Sequence, residues 1–183
     1  MAWLTVNSKN VFGASVQEAG TYNVKIVRSE VNKSGRGNQY ISIDYQVLDG
    51  KYKGGEIRYQ NLTWDDNDIE TSQKRFNTLL TAIGIPDGTD VPSIEACAKG
   101  LIGKQLSIDV NWAEPNNKGN IYLEVRGYHK LSQEGSQPNG VKRPNAGQIS
   151  SKPATGAQLP NDNDDPFANS NDSVDVKDSD LPF

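Results

Sequence analysis

The chain has 183 residues, 34% of them hydrophobic, with 19 basic and 23 acidic side chains and a formal net charge of −4. Its one cysteine, Cys97, and one histidine, His129, exclude an intrachain disulfide and a zinc site of the usual Cys/His type. No apolar run approaches the roughly 18–20 residues that span a bilayer, and the N-terminus lacks the basic-then-apolar pattern of a signal peptide, so the expected compartment is the cytoplasm.

Residues 1–19 are expected to add an N-terminal strand or arm around Trp3–Phe12. From Gly20 the apolar pattern takes the period of two that marks half-buried strands: Tyr22, Val24 and Ile26, then, beyond the turn-rich residues 32–38, Ile41, Ile43, Tyr45 and Val47. Asp49-Gly50 and Gly54-Gly55 punctuate the chain, and Ile57, Tyr59 and Asn61 alternate with Arg58, Gln60 and Leu62 in a third strand. The period then changes. Phe76, Leu79, Leu80 and Ile83 fall at helical spacing across Glu70–Ile83, stopped by Gly84 and Pro86, and Ile94–Leu101 predicts a short helical turn. Leu106, Ile108, Val110 and Trp112 restore the alternation, residues 115–120 form a turn, and Ile121, Leu123 and Val125 give a last strand ending near Tyr128.

Three strands, a helix and two strands is the element order of the OB-fold, so the expected fold is mainly β, a five-stranded OB-fold-like Greek-key barrel with a helix between strands 3 and 4. The domain is placed at residues 1–130, which carry fifteen basic and fifteen acidic residues. Beyond Leu131 periodicity ends, and Gln, Asn, Ser, Pro and Gly dominate. Residues 131–177 are therefore expected to be a disordered linker, unable to bury enough apolar surface to offset ordering entropy. Residues 153–183 carry one basic and seven acidic residues, which concentrates the acidity at the end of the tail.

Residues 178–183, Asp178-Ser179-Asp180-Leu181-Pro182-Phe183, combine an acidic run, a proline and an aromatic ring beside a carboxylate. That chemistry suits capture by a partner with an apolar pocket and a basic rim. With Asp165-Pro166-Phe167-Ala168-Asn169 upstream, this end resembles the tails of bacterial single-stranded DNA-binding proteins from Gram-positive hosts. Glu18-Ala19-Gly20-Thr21-Tyr22, Lys33-Ser34-Gly35, Gly50-Lys51-Tyr52-Lys53-Gly54-Gly55 and Ala82-Ile83-Gly84 resemble instead a family of bacteriophage proteins thought to bind single-stranded DNA. The resemblance implies an OB-fold and no catalysis. It also implies single-stranded DNA as ligand and a tip, Asp178, Asp180, Leu181, Pro182 and Phe183, that recruits replication, recombination or repair proteins. Homo-oligomerisation is compatible with it.

Single strands are held by cations along the phosphates and rings under the bases. Between Lys25 and Arg58 there are seven basic residues (Lys25, Arg28, Lys33, Arg36, Lys51, Lys53, Arg58) against four acidic ones. If Ile41, Ile43 and Tyr45 point inward, Tyr40 points out. If Ile57 and Tyr59 point inward, Arg58 and Gln60 point out. By the same phase Tyr122, Glu124, Arg126 and Tyr128 lie outside the last strand, while Tyr52 is expected to stand exposed between two lysines. Tyr22, Tyr45 and Tyr59 are assigned to the core, Trp112 continues the inner phase of its strand but suits either packing or a DNA contact, and Trp64 suits either a barrel cap or a DNA contact. The DNA-binding set is therefore Lys25, Arg28, Lys33, Arg36, Tyr40, Lys51, Tyr52, Lys53, Arg58, Tyr122 and Arg126.

Two rival readings use the same residues. One is an adaptor that employs the tip and binds no nucleic acid. The other is a metal-dependent nuclease built on Asp65, Asp66, Asp68 and Glu70, although aspartates ahead of a helix also serve as caps. Cys97 in Ala96-Cys97-Ala98 reads as a buried thiol rather than a nucleophile paired with His129. No cofactor, metal or catalytic residue is expected.

Overall fold

The computed structural model describes residues 3–8 and 11–144. Six strands, β1 (Glu18–Lys33), β2 (Gln39–Val47), β3 (Glu56–Trp64), β4 (Gln105–Trp112), β5 (Leu123–His129) and β6 (Gln137–Lys142), enclose two helices in sequence, α1 (Ile69–Ala82) and α2 (Ile94–Leu101), both between β3 and β4. The strands form one curled antiparallel sheet, a half-barrel in the order β3-β2-β1-β4-β5, with β6 paired to β1 outside that path. Among the described residues no helix is long and apolar enough to cross a membrane.

The inner face carries the expected alternation. Tyr22, Val24 and Ile26 of β1, Ile41, Ile43, Tyr45 and Val47 of β2, and Leu106, Ile108 and Val110 of β4 are buried in one cluster. Burying each such side chain contributes roughly 1.5–3 kcal/mol. Helix α1 lays Phe76, Leu79 and Ala82 against it. The Asp68 carboxylate accepts the Thr71 N–H at 3.2 Å to start that helix, and Gly84, at φ 84°, follows its C-cap. Trp64 packs edge-to-face on Phe76 at 5.4 Å between centroids and so joins the end of β3 to α1. Ser93 caps α2 by accepting the Ala96 N–H.

The sheet curls until its end strands meet. Since β3 pairs with β2, β2 with β1, β1 with β4 and β4 with β5, all antiparallel, β3 and β5 run in the same direction. At this seam the Gln60 carboxamide donates to the Leu123 carbonyl at 3.0 Å and accepts the Val125 N–H at 2.9 Å. A parallel strand residue opposite Glu124 would make the same pair of bonds from its backbone. Gln60 is 9% exposed.

Ordered structure does not stop at residue 130, which corrects the expected boundary between domain and linker. Strand β6 pairs with β1 at Glu18–Thr21, and Gly20 permits the approach: a Cβ there would stand 2.5 Å from the Gln137 carbonyl oxygen. The segment before β6 is held by polar groups. Asn23 donates to the Ser132 carbonyl at 2.8 Å and accepts the Ser132 N–H at 3.0 Å, while Asp49 accepts the Ser136 N–H at 2.7 Å. Low apolar content therefore did not mean disorder, because hydrogen bonds to Asn23 of β1 and to Asp49 just beyond β2 take the place of apolar burial. The rest of the expected linker, from residue 145, and the tip lie outside the described residues.

Of the strand or arm expected around Trp3–Phe12, the described residues show an arm. Trp3, Leu4, Val6, Val11 and Phe12 are exposed and belong to no strand. The chain docks only from Gly13 to Val16, where Gly55 admits it: a Cβ on Gly55 would lie 2.1 Å from the Ala14 carbonyl oxygen.

A chain ending after Lys130 should melt distinctly lower than one ending after Pro144, because Asn23, Asp49 and Glu18 would each lose the bonds that residues 132–140 make to them; equal melting curves would refute the docked role of 131–142. Gln60→Ala should lower the unfolding free energy by about 1–3 kcal/mol in urea titrations, the cost of leaving the Leu123 carbonyl and Val125 N–H without partners.

Candidate nucleic-acid interface

Three register shifts shape the outer face of the sheet. Strands β2 and β3 pair Ile43 with Gln60 and Tyr45 with Ile57, so Arg58 and Tyr59 together face Asp44. This is a β-bulge, in which the extra residue re-aims the side chains after it. Asp44 is buried, and its carboxylate accepts the Tyr59 N–H at 2.8 Å. Tyr59 takes φ 59°, and it is the one non-glycine residue with positive φ among the described residues. The expectation that Tyr59 lies in the core is overturned: it is 68% exposed, and Gln60 takes the inner position instead.

The second shift, in β5, pairs Asp109 with Gly127 and Val110 with Val125, leaving Arg126 as the extra residue. Phase therefore flips at Arg126. Tyr128, expected outside, packs against the core. It lies beside Tyr45, whose phenol is pushed well above its ordinary range by burial and then by Tyr128. The third shift, in β1, places Val27 between Ile26, opposite Tyr45, and Arg28, opposite Asp44.

Tyr40 and Arg58 share the outer face of β2 and β3, as expected, and Arg28 of β1 joins them opposite Asp44; Tyr40 lies opposite Asn32 and Thr63 and is only half-buried. The Gln60 seam sets Glu124 of β5 beside β3, with Tyr122, 55% exposed, two residues before it and Arg126 two residues after it. Each arginine already has a carboxylate. Arg28 meets Glu30 at 2.5 Å and Asp44 at 3.6 Å, Arg58 pairs with Glu56, and Arg126 meets Glu124 at 2.8 Å. The pairing holds the Arg28 and Arg58 guanidiniums above their ordinary range, the hydrogen bonds to Glu30 and Glu56 being the main causes.

The other basic candidates are dispersed. Lys33 and Arg36 are exposed at the β1–β2 turn, Lys25 is half-buried on β1 opposite Gln46 and Gln105, and Lys53 is exposed in the turn before β3. Lys51 and Tyr52 belong to a different structure. Tyr52 is 5% exposed, which corrects its expected exposure: its ring packs on Tyr22, and its hydroxyl donates to Glu18 at 2.7 Å. Lys51 pairs with the same carboxylate, whose other oxygen accepts the Gly140 N–H at 3.1 Å. Glu18, 7% exposed, thus joins β1, the turn before β3 and β6. Its hydrogen bonds from Lys51 and then Tyr52 hold its carboxyl below the ordinary value.

The acidic run before α1 is occupied by local bonds. Asp65 accepts the Asn67 N–H, Asp66 accepts from the Trp64 indole and Asp68 caps the helix. Among the described residues no group of three or more His, Cys, Asp or Glu is placed to hold a metal ion. The Cys97 thiol is buried and pushed up by that burial. His129 meets Asp109 at 2.7 Å, whose other oxygen accepts from Thr21 at 2.6 Å. Trp64 serves the helix contact and also lines a cleft of about 550 Å³ with Leu80 and Ile94. Trp112 is half-buried rather than core. Its indole donates to the Val141 carbonyl, with the Arg143 guanidinium over the ring at 5.3 Å.

A family model described as "Protein of unknown function (DUF669)" matches residues 4–138. The chain belongs to that family. The matched span covers every strand but the latter part of β6, including the bulge, the seam and the polar network around Asn23. No curated protein matches the chain in sequence.

The folded value for Glu18 lies below its ordinary 4.5, so as pH falls the unfolded chain takes up the proton first. The stability Glu18 contributes is therefore complete above about 4.5 and is lost as pH drops through the folded value. Tyr52→Phe should lower the melting temperature at neutral pH and make its acid-side decline shallower; an unchanged pH profile would contradict the Glu18 network.

Proposed function

We propose that the protein binds single-stranded DNA without strong sequence preference. It would act in phage DNA replication, recombination or repair in the cytoplasm of a bacterial host. On this reading the half-barrel is an OB-fold. The strand order β3-β2-β1-β4-β5, with β3 and β5 joined through Gln60, supports it, since a five-stranded Greek-key barrel brings the same strands together.

The observation that carries the proposal is that Arg58 and Arg126 lie on the two strands flanking the seam, with the exposed Tyr122 just before β5 and with Arg28 and Tyr40 on the same sheet. Guanidiniums and exposed rings are the two elements a single strand requires. Their glutamate partners do not block it. Exposed ion pairs contribute only about 0–1 kcal/mol, so a phosphate can replace a carboxylate at small cost, and the guanidinium fork suits both anions. Asp178, Asp180, Leu181, Pro182 and Phe183 would then recruit partner proteins, which the composition of the tip supports.

Titration of fluorescent oligo(dT) at low salt, beside a duplex of equal length, is expected to show binding to the single strand that weakens as salt rises. Arg58→Gln combined with Arg126→Gln should weaken it and make the salt slope shallower, by about one for each phosphate that is no longer neutralised. Deleting Leu181–Phe183 should leave the affinity intact or raise it. No binding, or equal binding to duplex, would sink the proposal and favour an adaptor that uses only the tip.

A further inference from the structure

We infer that Tyr59 is a nucleobase-stacking platform, presented by the β3 bulge to an unstacked base of the bound strand beside Tyr122. The inference rests on the single-stranded DNA reading and adds to it a residue whose place in the alternation pointed to the core.

Tyr59 holds its backbone at a cost to the fold. A bulky residue with positive φ is disfavoured, whereas glycine adopts that backbone freely. Such a residue normally persists where its side chain packs. The Tyr59 ring is exposed, and the inward positions around it are filled by Ile57, Gln60 and Leu62. The fold therefore gains little from a ring at this position, and strain of this kind gathers at binding sites.

The position is nonetheless firmly held. Asp44 accepts the Tyr59 N–H and is itself beside the Arg28 guanidinium. The next residue, Gln60, is bonded to two backbone groups of β5. A ring fixed at both ends of its own backbone loses little freedom when a base stacks on it. Tyr122 immediately precedes β5, two residues before Glu124, whose flanking backbone groups Gln60 holds, and it too is exposed. Its backbone is fixed by the bond from the Ala113 N–H to the Tyr122 carbonyl at 2.8 Å.

The outer face around the two rings carries Ser42, Asn61, Thr63 and Glu124 with Arg58 and Arg126, and beyond them the half-buried Tyr40, so an apolar protein surface would find separate rings set among polar and charged groups. A base needs only the face of a ring, and the adjoining guanidiniums meet its phosphates.

The test compares wild type with Tyr59→Ala, Tyr59→Gly and Tyr59→Phe for binding to labelled oligo(dT) and to an abasic oligonucleotide of the same length. The alanine and glycine variants should bind oligo(dT) roughly 5- to 100-fold more weakly, from the worth of one stacked base. The phenylalanine variant should keep its affinity, and all four proteins should bind the abasic strand alike. Tyr59→Gly should melt at or above the wild-type temperature, since glycine accepts the backbone. Wild-type affinity for oligo(dT) in Tyr59→Gly, an equal loss on the abasic strand, or a large fall in its melting temperature overturns the platform while the DNA-binding reading stands. Failure of the wild type to bind oligo(dT) overturns both.

Discussion

Gln60 is buried where the two end strands of the curled sheet meet, and its side chain makes the bonds that a neighbouring backbone would otherwise make. It can do so only because the β3 bulge turns it inward. The bulge in turn depends on Asp44, a buried carboxylate whose acceptance of the Tyr59 N–H holds an unfavourable backbone in place. Closing the seam and exposing Tyr59 are therefore one event. A strand without the extra residue would place Tyr59 inside and Gln60 in solvent, and β3 would have no bridge to β5.

Strand β1 is the common partner of β2, β4 and β6, and the polar groups buried along it explain why a segment poor in apolar residues is ordered. Asn23 and Glu18 are both buried on β1, and each would be costly if left unpaired. Ser132, Ser136 and Gly140 supply the missing partners. Lys51 and Tyr52 are drawn into the same network, so two residues that share the basic composition of the neighbouring loops serve the interior instead.

The outer face is not a field of free positive charge. Arg28, Arg58 and Arg126 each stand two residues from a glutamate on their own strand, and each is paired with it. Such a face is close to electrically balanced until an anion competes for the guanidiniums. Recognition there must draw on the rings as well as on charge. The acidity of residues 153–183 is a separate property of the chain, because residues 1–130 are balanced without it.

The sequence alone determined the inner faces of β1, β2 and β4, helix α1 with its Asp68 cap, and the short helix α2, since hydrophobic period and capping are local properties that the chain carries wherever it goes. It also contained a trace of the bulges. Ile57 and Leu62 are five apart, and Val125 and Tyr128 three apart, odd separations that cannot share one face of a regular strand, so both pairs can be buried only if a residue is inserted between them. Which residue is extruded could not be read from the spacing. That depended on Asp44 reaching the Tyr59 N–H, on the register of β4 against β5, and on the approach of β5 to Gln60. The burial of Tyr52 and the docking of 131–142 were likewise decided by Glu18, Asn23 and Asp49, partners distant in sequence. Tertiary structure alone settled these points, because the free energy of a buried polar group depends on the partner it meets, and alternation along one strand says nothing about who that partner is.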